Sequence, residues 1–389
     1  MATLHPVEIG SGPAALSALP IVHDVVAGRV CALPVPAADR AQISALTTAL
    51  RAGEPIDDGV AAVLSTSGTT GTPKGALLPA TALMASAQAT HDRLGGPGQW
   101  LLALPAYHVA GFQVLVRSVI AGVDPVALHP GFDPAELVTA VDAMGNRRRY
   151  ASLVAAQLDK ALREPAAAEA LSGFDAVLVG GGPMPPGLSE RASAARVSVV
   201  RTYGMSETAG GCVYDGVPLA GVSVKVADNG LISLGGPTIA LGYRNPVLPD
   251  PFAETGWFRT GDVGTIDQAR VLRVLGRADD GISTGGLTVL PDLVEAVLLG
   301  HPAVAECAVF GVADPRLGQR VVAALVLRPG AAVTLDDVRA HVAGQLPATA
   351  APREVHVVDE LPRRGIGKVD RRALTRTFGD VPDPGASTA

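Results

Sequence analysis

Ser65-Thr66-Ser67-Gly68-Thr69-Thr70-Gly71-Thr72-Pro73-Lys74-Gly75 is the stretch on which the reading of this chain turns. Several hydroxyls, three glycines and a lysine stand in one loop, directly after the apolar run Val60 to Leu64, which reads as a buried strand. Backbone N–H groups in such a loop converge on an anion, and the hydroxyls and Lys74 add donors, so polyphosphate is the natural guest. It is not a Walker A loop, because Pro73 rather than glycine precedes the lysine and no Ser or Thr follows it. Pro73-Lys74-Gly75 and the apolar flanks argue for fixed geometry rather than a flexible linker.

Outward from the loop, apolar strands alternate with helices. Ala80 to Leu94, Gly111 to Ala121, Pro134 to Met144 and Ala151 to Arg163 read as helices. Trp100 to Leu104, Val123 to Leu128, Ala176 to Val179 and Val197 to Val200 read as strands buried on both faces. Upstream, residues 1 to 60 are Ala- and Pro-rich, with helical stretches such as Asp39 to Arg51. The expected class is α/β, a large N-terminal domain of covered sheets. From about Val213 short strands take over (Val222 to Val226, Gly230 to Ser233, Thr265 to Asp267, Val271 to Leu275), a β-rich subdomain. After the polar stretch Arg277 to Gly286 comes a small α+β unit: helices Leu290 to Leu299 and Leu335 to Leu346, strands Val304 to Val312, Arg320 to Leu327 and Glu354 to Val358. The expected domains are 1–276 and 277–389, with Phe378 to Ala389 as a loose tail.

The 389 residues carry a net charge of −6 and no long basic run, which argues against nucleic acid. Arg147 to Arg149 is the tight basic cluster and reads as a solvated helix end or loop. No apolar stretch is long enough to span a membrane, and Met1 to Pro13 lacks the charge and apolar core of a signal peptide. Cys31, Cys212 and Cys307 are too scattered for a zinc site or a disulfide frame, so a reducing cytoplasm is expected. Only four of the 31 basic residues are lysines, Lys74, Lys160, Lys225 and Lys368. Lys74 lies in the loop and Lys368 in a second motif, Pro362-Arg363-Arg364-Gly365-Ile366-Gly367-Lys368-Val369-Asp370-Arg371.

Three further segments follow the loop in order. Gly180-Gly181-Gly182-Pro183 ends a buried strand and lets a planar ligand approach the backbone. Tyr203-Gly204-Met205-Ser206-Glu207-Thr208 sets a carboxylate beside a hydroxyl, which suits a hard cation bridging phosphates. Arg259-Thr260-Gly261-Asp262 precedes Gly276-Arg277-Ala278-Asp279-Asp280.

Together these motifs, over about residues 60 to 372, resemble those of the adenylate-forming enzymes: acyl- and aryl-CoA ligases, peptide-synthetase adenylation domains and luciferases. The resemblance implies that Ser65, Thr66, Ser67, Gly68, Thr69, Thr70 and Lys74 hold the ATP phosphates, and that Gly181 and Gly182 lie along the adenine. It further implies that Tyr203 stacks on the base, Ser206 touches the α-phosphate and Glu207 holds Mg²⁺. Asp262 and Arg277 would bind the ribose. Lys368 would bridge the substrate carboxylate and α-phosphate, a fixed ammonium stabilising developing charge. Asp279 falls at the family's hinge, about which the small mobile domain turns between adenylation and thioester formation, with Ser283 to Leu287 helping to form the CoA channel. ATP, Mg²⁺ and CoA are therefore expected, with a small-molecule carboxylic acid as the partner, no nucleic acid, no membrane span, and a homodimer allowed.

The acid is read from Leu104-Pro105-Ala106-Tyr107-His108-Val109-Ala110-Gly111 and the apolar segment behind it. Amino-acid-activating relatives place an aspartate in this region; Tyr107 and His108 stand here instead. His108 resembles the acyl-CoA ligase histidine at the mouth of the acid pocket, with Gly204 also lining it. Arg117 is the charge in the apolar run Phe112 to Ala121; it either snorkels or pairs within the protein, or it meets a second substrate carboxylate. This spacing and the Gly180 to Pro186 segment resemble the o-succinylbenzoate–CoA ligases of menaquinone biosynthesis, whose substrate is a dicarboxylate. Ala110, Gly210 and Gly211 depart from the polar residues that some relatives carry. The alternatives are another aryl- or fatty-acyl-CoA ligase, a stand-alone adenylation domain loading a carrier protein, and a non-catalytic nucleotide sensor.

Overall fold

The computed structural model describes residues 2–66, 72–185, 187–364 and 368–379, with the backbone alone at 364 and 368. The chain divides into two compact units. The first comprises Met1–Ala227, Ile232–Thr260 and Ile266–Leu272; the second comprises Asp228–Leu231, Gly261–Thr265 and Arg273–Ala389.

The first unit opens with a sheet of which the sequence reading finds one strand, the buried run Val60 to Leu64. β1 (Ala2–Ile9), β2 (Cys31–Pro36), β3 (Pro55–Ile56), β4 (Ala62–Leu64) and β5 (Ala76–Leu78) form one sheet in the order β3-β1-β2-β4-β5. Pro6, Pro34 and Pro36 interrupt the usual strand signal. Pairing and burial nevertheless hold β2 in the sheet, and every one of its residues is buried. β4 and β5 pair antiparallel, Leu64 against Ala76, so the loop between them is a hairpin tip with fixed ends. The helix Arg40–Ala49 begins where its Asp39 cap accepts a hydrogen bond from the Gln42 N–H at 2.8 Å.

A second, seven-stranded sheet contains β6 (Gln99–Leu102), β7 (Val126–Ala127), β8 (Arg149–Val154), β9 (Ala176–Gly180), β10 (Val199–Met205), β11 (Gly210–Tyr214) and β12 (Val217–Pro218). Its order is β12-β11-β10-β9-β8-β6-β7. β7, β6, β8, β9 and β10 run parallel, and β11 returns antiparallel. Side chains alternate between two cores. Trp100, Leu102 and Leu178 pack with the helices Ala80–Leu94 and Val109–Ala121, while Leu101, Val177 and Val179 pack on the opposite face. The helix expected over Ala151 to Arg163 is half wrong. Residues 149–154 are a central strand and the helix is Ala155–Leu162. A short apolar run has no period that separates the two states, and pairing between β6 and β9 decides it. Arg148 lies just before this strand and pairs with Asp175 at 3.1 Å, while Arg149 is the strand's first residue.

β13 (Ser223–Val226) and β14 (Leu231–Gly235) pair antiparallel, and β15 (Trp257–Ile266) and β16 (Leu272–Arg277) continue the β-rich stretch. In the second unit β17 (Ile282–Thr284), β18 (Leu287–Val289), β19 (Val304–Asp314), β20 (Gly318–Leu327) and β21 (Glu354–Val357) form one sheet, and β22 (Arg363–Arg364) pairs with β23 (Lys368–Val369). Val309, Val321 and Leu325 face the helices Pro291–Leu298 and Leu335–Ala343; Phe310, Val322 and Ala324 face Leu361 and Leu374. The helix Arg371–Phe378 follows β23, its Asp370 cap accepting from the Ala373 N–H at 3.1 Å. Residues 380–389, most of the expected tail, lie outside the described residues.

Arg371 ties this unit together. Its guanidinium meets Asp292 at 2.6 Å, Glu295 at 2.7 Å and Asp280 at 3.5 Å, and Glu295 also accepts from the Val309 N–H at 2.7 Å. Burial raises the Asp292 and Glu295 carboxyls against the pull of Arg371. Removing the cation leaves the buried Glu295 carboxylate and the half-buried Asp292 carboxylate without their counter-charge. Arg371→Met should destabilise the unit by about 2 kcal/mol, below the fully buried case because the cluster keeps some solvent. Hydrogen exchange of the Val309–Val312 amides in β19 should accelerate about 30-fold, and unchanged exchange would refute the anchoring role.

Candidate active site

Four parallel strands, β6, β8, β9 and β10, end on one edge of their sheet, the place where open α/β sheets present ligand-binding loops. His108, Gly181, Gly182 and the segment Tyr203 to Glu207 leave from that edge. After β6 the chain passes Pro105 and Tyr107 to His108, which immediately precedes the helix Val109–Ala121 and packs its ring 4.7 Å from that of Tyr107. Gly111 enters the helix so close to Pro105 that a β-carbon would lie 2.4 Å from the Pro105 carbonyl oxygen. Beyond β9, Gly181 takes φ +83, and a β-carbon on Gly182 would meet nothing within 4 Å. The backbone there faces open space.

β10 ends with Tyr203, Gly204 and Met205, and a tight turn, Ser206–Thr208, carries the chain into β11. The Thr208 hydroxyl closes this turn, accepting from the Met205 N–H at 2.9 Å and donating to the Gly210 carbonyl at 2.7 Å. A β-carbon on Gly204 would sit 2.0 Å from the Gly210 oxygen. Sterics of the β10–β11 hairpin thus demand glycine at the position expected to line the acid pocket. Glu207 is 7% exposed, and its Oε1 accepts a hydrogen bond from the Tyr243 hydroxyl at 2.6 Å. No lysine, arginine or histidine pairs with it among the described residues.

The phosphate-loop candidates divide. Ser65, Thr66 and Lys74 are described; Ser67, Gly68, Thr69 and Thr70 lie outside the described residues. Thr66 buries its hydroxyl without a hydrogen-bond partner among the described residues, an orphan donor at the loop's entrance. At its exit, Lys74 Nζ lies 5.2 Å from the centre of the Tyr243 ring. A buried carboxylate without a cation among the described residues, bonded by the tyrosine whose ring lies under Lys74, fits Mg²⁺ held by one carboxylate and substrate phosphates. Among the described residues no cluster of three His, Cys, Asp or Glu exists to form a protein-only metal cage.

Arg117 is buried, at 3% exposure, inside the core of the helix Val109–Ala121. Its guanidinium stacks over Trp100 at 4.8 Å and reaches the Tyr214 hydroxyl at 3.5 Å. No carboxylate pairs with it among the described residues, and Nε has no partner there. Burial pulls its pKa down, and Tyr214 works against that shift. Snorkelling is therefore excluded as an account of this arginine. Gln113 stands one turn earlier on the same face. Its Oε1 is likewise buried and unpartnered among the described residues, and its Cγ packs at Gly210, where a β-carbon would be 3.2 Å away. Gln113, Tyr214 and Tyr243 join the candidate site by their contacts with Arg117, Gly210 and Glu207, and the sequence reading does not name them. Tyrosine is scarce in the chain, five in all, and a tyrosine in the polar Gly242-Tyr243-Arg244-Asn245 segment was the available signal.

Within the second unit, Asp262 lies inside β15 and is 8% exposed. Arg277 approaches it at 3.5 Å and Asp279 at 2.7 Å, and the Ala278 N–H donates to the Gly261 carbonyl at 2.8 Å. Burial opposes the Arg277 charge, but Asp279, Asp262 and Asp280 outweigh it and hold its pKa above the usual arginine range. The ribose candidates and the hinge candidate therefore share one guanidinium. Lys368 lies in β23, its backbone paired with Arg364.

The three cysteines are buried and free, and burial lifts Cys31 to about 11 and Cys212 to about 12, so neither is a reactive thiolate. No helix among the described residues is long and apolar enough to cross a membrane.

Comparison with known proteins places this geometry. Residues 14–244 match the AMP-binding enzyme family and residues 293–368 its C-terminal domain. The chain is 61% identical to a probable 2-succinylbenzoate–CoA ligase of Mycobacterium tuberculosis, over 98% of this chain and 100% of that protein. It is 36% identical to the 2-succinylbenzoate–CoA ligase of Geobacillus kaustophilus, over 82% of this chain and 69% of that one. Among solved structures it is similar to o-succinylbenzoate CoA synthetase of Bacillus subtilis in complex with its acyl-adenylate intermediate, with TM-score 0.82 and 26% identity over 96% of this chain and 88% of that one.

The buried arginine has a measurable consequence at His91. This residue is 1% exposed, and the Trp100 indole N–H points to its Nε2 at 3.4 Å. Burial first, then the Arg117 charge, push its pKa from 6.5 down to about 4, with Asp92 opposing. Between those values the unfolded chain binds a proton that the folded chain refuses, so stability falls as the pH drops through the window. His91→Gln keeps an acceptor for Trp100 and removes the titration. Its melting temperature should therefore fall less than the parent's between about pH 7 and about pH 5; parallel curves would refute a neutral, buried His91.

Proposed function

The chain belongs to the AMP-binding enzyme family, and on that footing we propose that it is an acid–thiol ligase that joins 2-succinylbenzoate to CoA at the expense of ATP. The products are 2-succinylbenzoyl-CoA, AMP and pyrophosphate, as the menaquinone route requires. The observation that carries the substrate assignment is Arg117, a buried guanidinium without a carboxylate among the described residues, one helical turn from Gln113, whose Oε1 is also unpartnered there while its Nε2 donates to the Leu83 carbonyl at 3.4 Å. A dicarboxylic acid supplies the missing charge: one carboxylate reacts, and the other meets Arg117 directly or through water.

In the first step a carboxylate oxygen of the succinyl arm attacks the α-phosphorus. A P–O bond forms, the bond to the bridging oxygen breaks, and pyrophosphate leaves. Lys74, with the hydroxyls of Ser65 to Thr70, is assigned to the leaving phosphates and Lys368 to the α-phosphate and the attacking carboxylate. Glu207 is assigned to hold Mg²⁺, which supplies charge neutralisation on the phosphates when bound. Tyr203, Gly181, Gly182 and Ser206 are assigned to adenine and the α-phosphate, Asp262 and Arg277 to ribose, and His108 to the mouth of the acid pocket. In the second step the CoA sulfur attacks the acyl carbon: a C–S bond forms, the acyl C–O bond to the phosphate breaks, the thiol proton passes to solvent, and AMP leaves. Residues 1–276 and 277–389 are the proposed working domains, with Asp279 as the hinge between the two steps, and the proposed compartment is the cytoplasm, where ATP and CoA meet.

A thioester assay with ATP and CoA across mono- and dicarboxylic aromatic acids tests the proposal; a monocarboxylic acid preferred over 2-succinylbenzoate would overturn the substrate, and a requirement for a carrier protein would overturn the acceptor. Lys368→Ala should slow acid-dependent pyrophosphate exchange by about 10² or more while thioester formation from added acyl-adenylate persists. Arg117→Ala should raise the KM for 2-succinylbenzoate about tenfold or more, and an unchanged KM would remove this residue from substrate binding.

A further inference from the structure

The segment Gly242–Asn245 is fastened to the base of the phosphate loop at every residue. The Leu77 N–H donates to the Gly242 carbonyl at 2.9 Å, the Arg244 N–H to Gly75 at 2.8 Å, and the Asn245 N–H to Lys74 at 2.9 Å. The Asn245 side chain adds a bond to the Pro73 carbonyl at 2.8 Å and another to Ala49 at 2.8 Å. The Arg244 guanidinium reaches the carbonyls of Leu50, Pro55 and Arg51 at 3.2, 3.0 and 3.3 Å. This backbone cannot move without moving the loop's exit.

Tyr243 sits at the centre of the clamp, bridged to Ala76 and packed edge-on against Phe252 with 5.2 Å between ring centres. Its hydroxyl donates to Glu207 Oε1, while its ring face lies beneath the Lys74 ammonium. A second tie reaches the same turn from just upstream of this segment: the Ala240 N–H donates to the Glu207 carbonyl at 2.9 Å. One tyrosine thus touches both charged groups assigned to the polyphosphate, a carboxylate from the β10–β11 turn and a lysine from the β4–β5 hairpin.

We propose that Tyr243 is a positioning residue for metal-bound nucleotide. It holds the Glu207 carboxylate in one orientation, engaging one oxygen and leaving the other to the cation, and it keeps that carboxylate in register with Lys74. The proposal rests on the reading of Glu207 as the Mg²⁺-holding residue. A carboxylate has acceptor capacity for both a hydroxyl and a cation. Hydrogen bonds that fix a ligating carboxylate commonly set its metal affinity. Packing alone is a different role, and it predicts a different result: Phe at this position keeps the Phe252 contact and the ring face beneath Lys74 and lacks only the hydroxyl.

The test compares the parent, Tyr243→Phe and Glu207→Gln in the full chain. Three quantities are measured: the Mg²⁺ concentration giving half-maximal acid-dependent pyrophosphate exchange, Mn²⁺ bound in the presence of ATP by electron paramagnetic resonance, and AMP affinity without metal. Tyr243→Phe should raise the half-maximal Mg²⁺ and weaken Mn²⁺ binding about tenfold, and leave metal-free AMP affinity unchanged. Glu207→Gln should do the same more severely. A raised metal requirement in Glu207→Gln with none in Tyr243→Phe overturns the positioning role. No change in either variant overturns the reading of Glu207 on which it rests. Equal loss of metal-free AMP affinity in Tyr243→Phe overturns the proposal in favour of packing.

Discussion

A full positive charge buried in the core of the first unit, without a carboxylate among the described residues, is the constraint around which the candidate acid site is built. Arg117 is tolerated because its surroundings are shaped to it. Trp100 offers a ring face at 4.8 Å and Tyr214 an oxygen at 3.5 Å, and His91 is kept neutral beside it. The Tyr214 hydroxyl is in turn set by Thr90 at 2.9 Å, and Thr90 by the Ser86 carbonyl one helical turn back at 2.8 Å. Stacking and one long neutral contact do not replace hydration of a guanidinium, so the arrangement favours any ligand that brings a negative charge.

The rest of the candidate site, with the proposed nucleotide residues, follows from topology rather than from charge. Parallel alignment of β6, β8, β9 and β10 places His108, Gly181, Tyr203 and Glu207 at one edge, although they are far apart in sequence. The antiparallel pairing of β4 with β5 anchors the loop Ser65 to Gly75 at both ends. The clamp at Gly242–Asn245 then joins the loop to Glu207 through Tyr243. In the second unit the economy is similar: Arg277 serves Asp262 and Asp279 at once, and Arg371 gathers Asp280, Asp292 and Glu295 beside the helix that follows Lys368.

The motifs were legible because their chemistry is local. A glycine- and hydroxyl-rich loop and a Ser-Glu-Thr turn each suggest a ligand by composition over a few residues, while the role proposed for Lys368 comes from resemblance alone. Long, strongly patterned elements were legible too, and the helix Ala80–Leu94 matches its expectation to the residue. What escaped was decided by tertiary pairing. β1 and β2 contain prolines that disguise them, and the mostly apolar Tyr150 to Val154 of β8, broken by Ser152, is too short for its period to separate strand from helix. The interior role of Arg117 was half legible, as a charge in an apolar run. Its partners Trp100 and Tyr214 come from distant strands and could not be named. Tyr243 left no trace beyond its own rarity, since its meaning lies in a hydrogen bond to a residue 36 positions away.

The central claim is that the Arg117 charge is held for a second substrate carboxylate. Its most direct test is the affinity of a hydrolysis-resistant 2-succinylbenzoyl-adenylate analogue against its benzoate methyl ester, measured by calorimetry on the parent and on Arg117→Ala. The account predicts that esterification weakens binding to the parent about a hundredfold, and that Arg117→Ala scarcely distinguishes the two. Equal affinity of the parent for both ligands, or full discrimination surviving in Arg117→Ala, would contradict it.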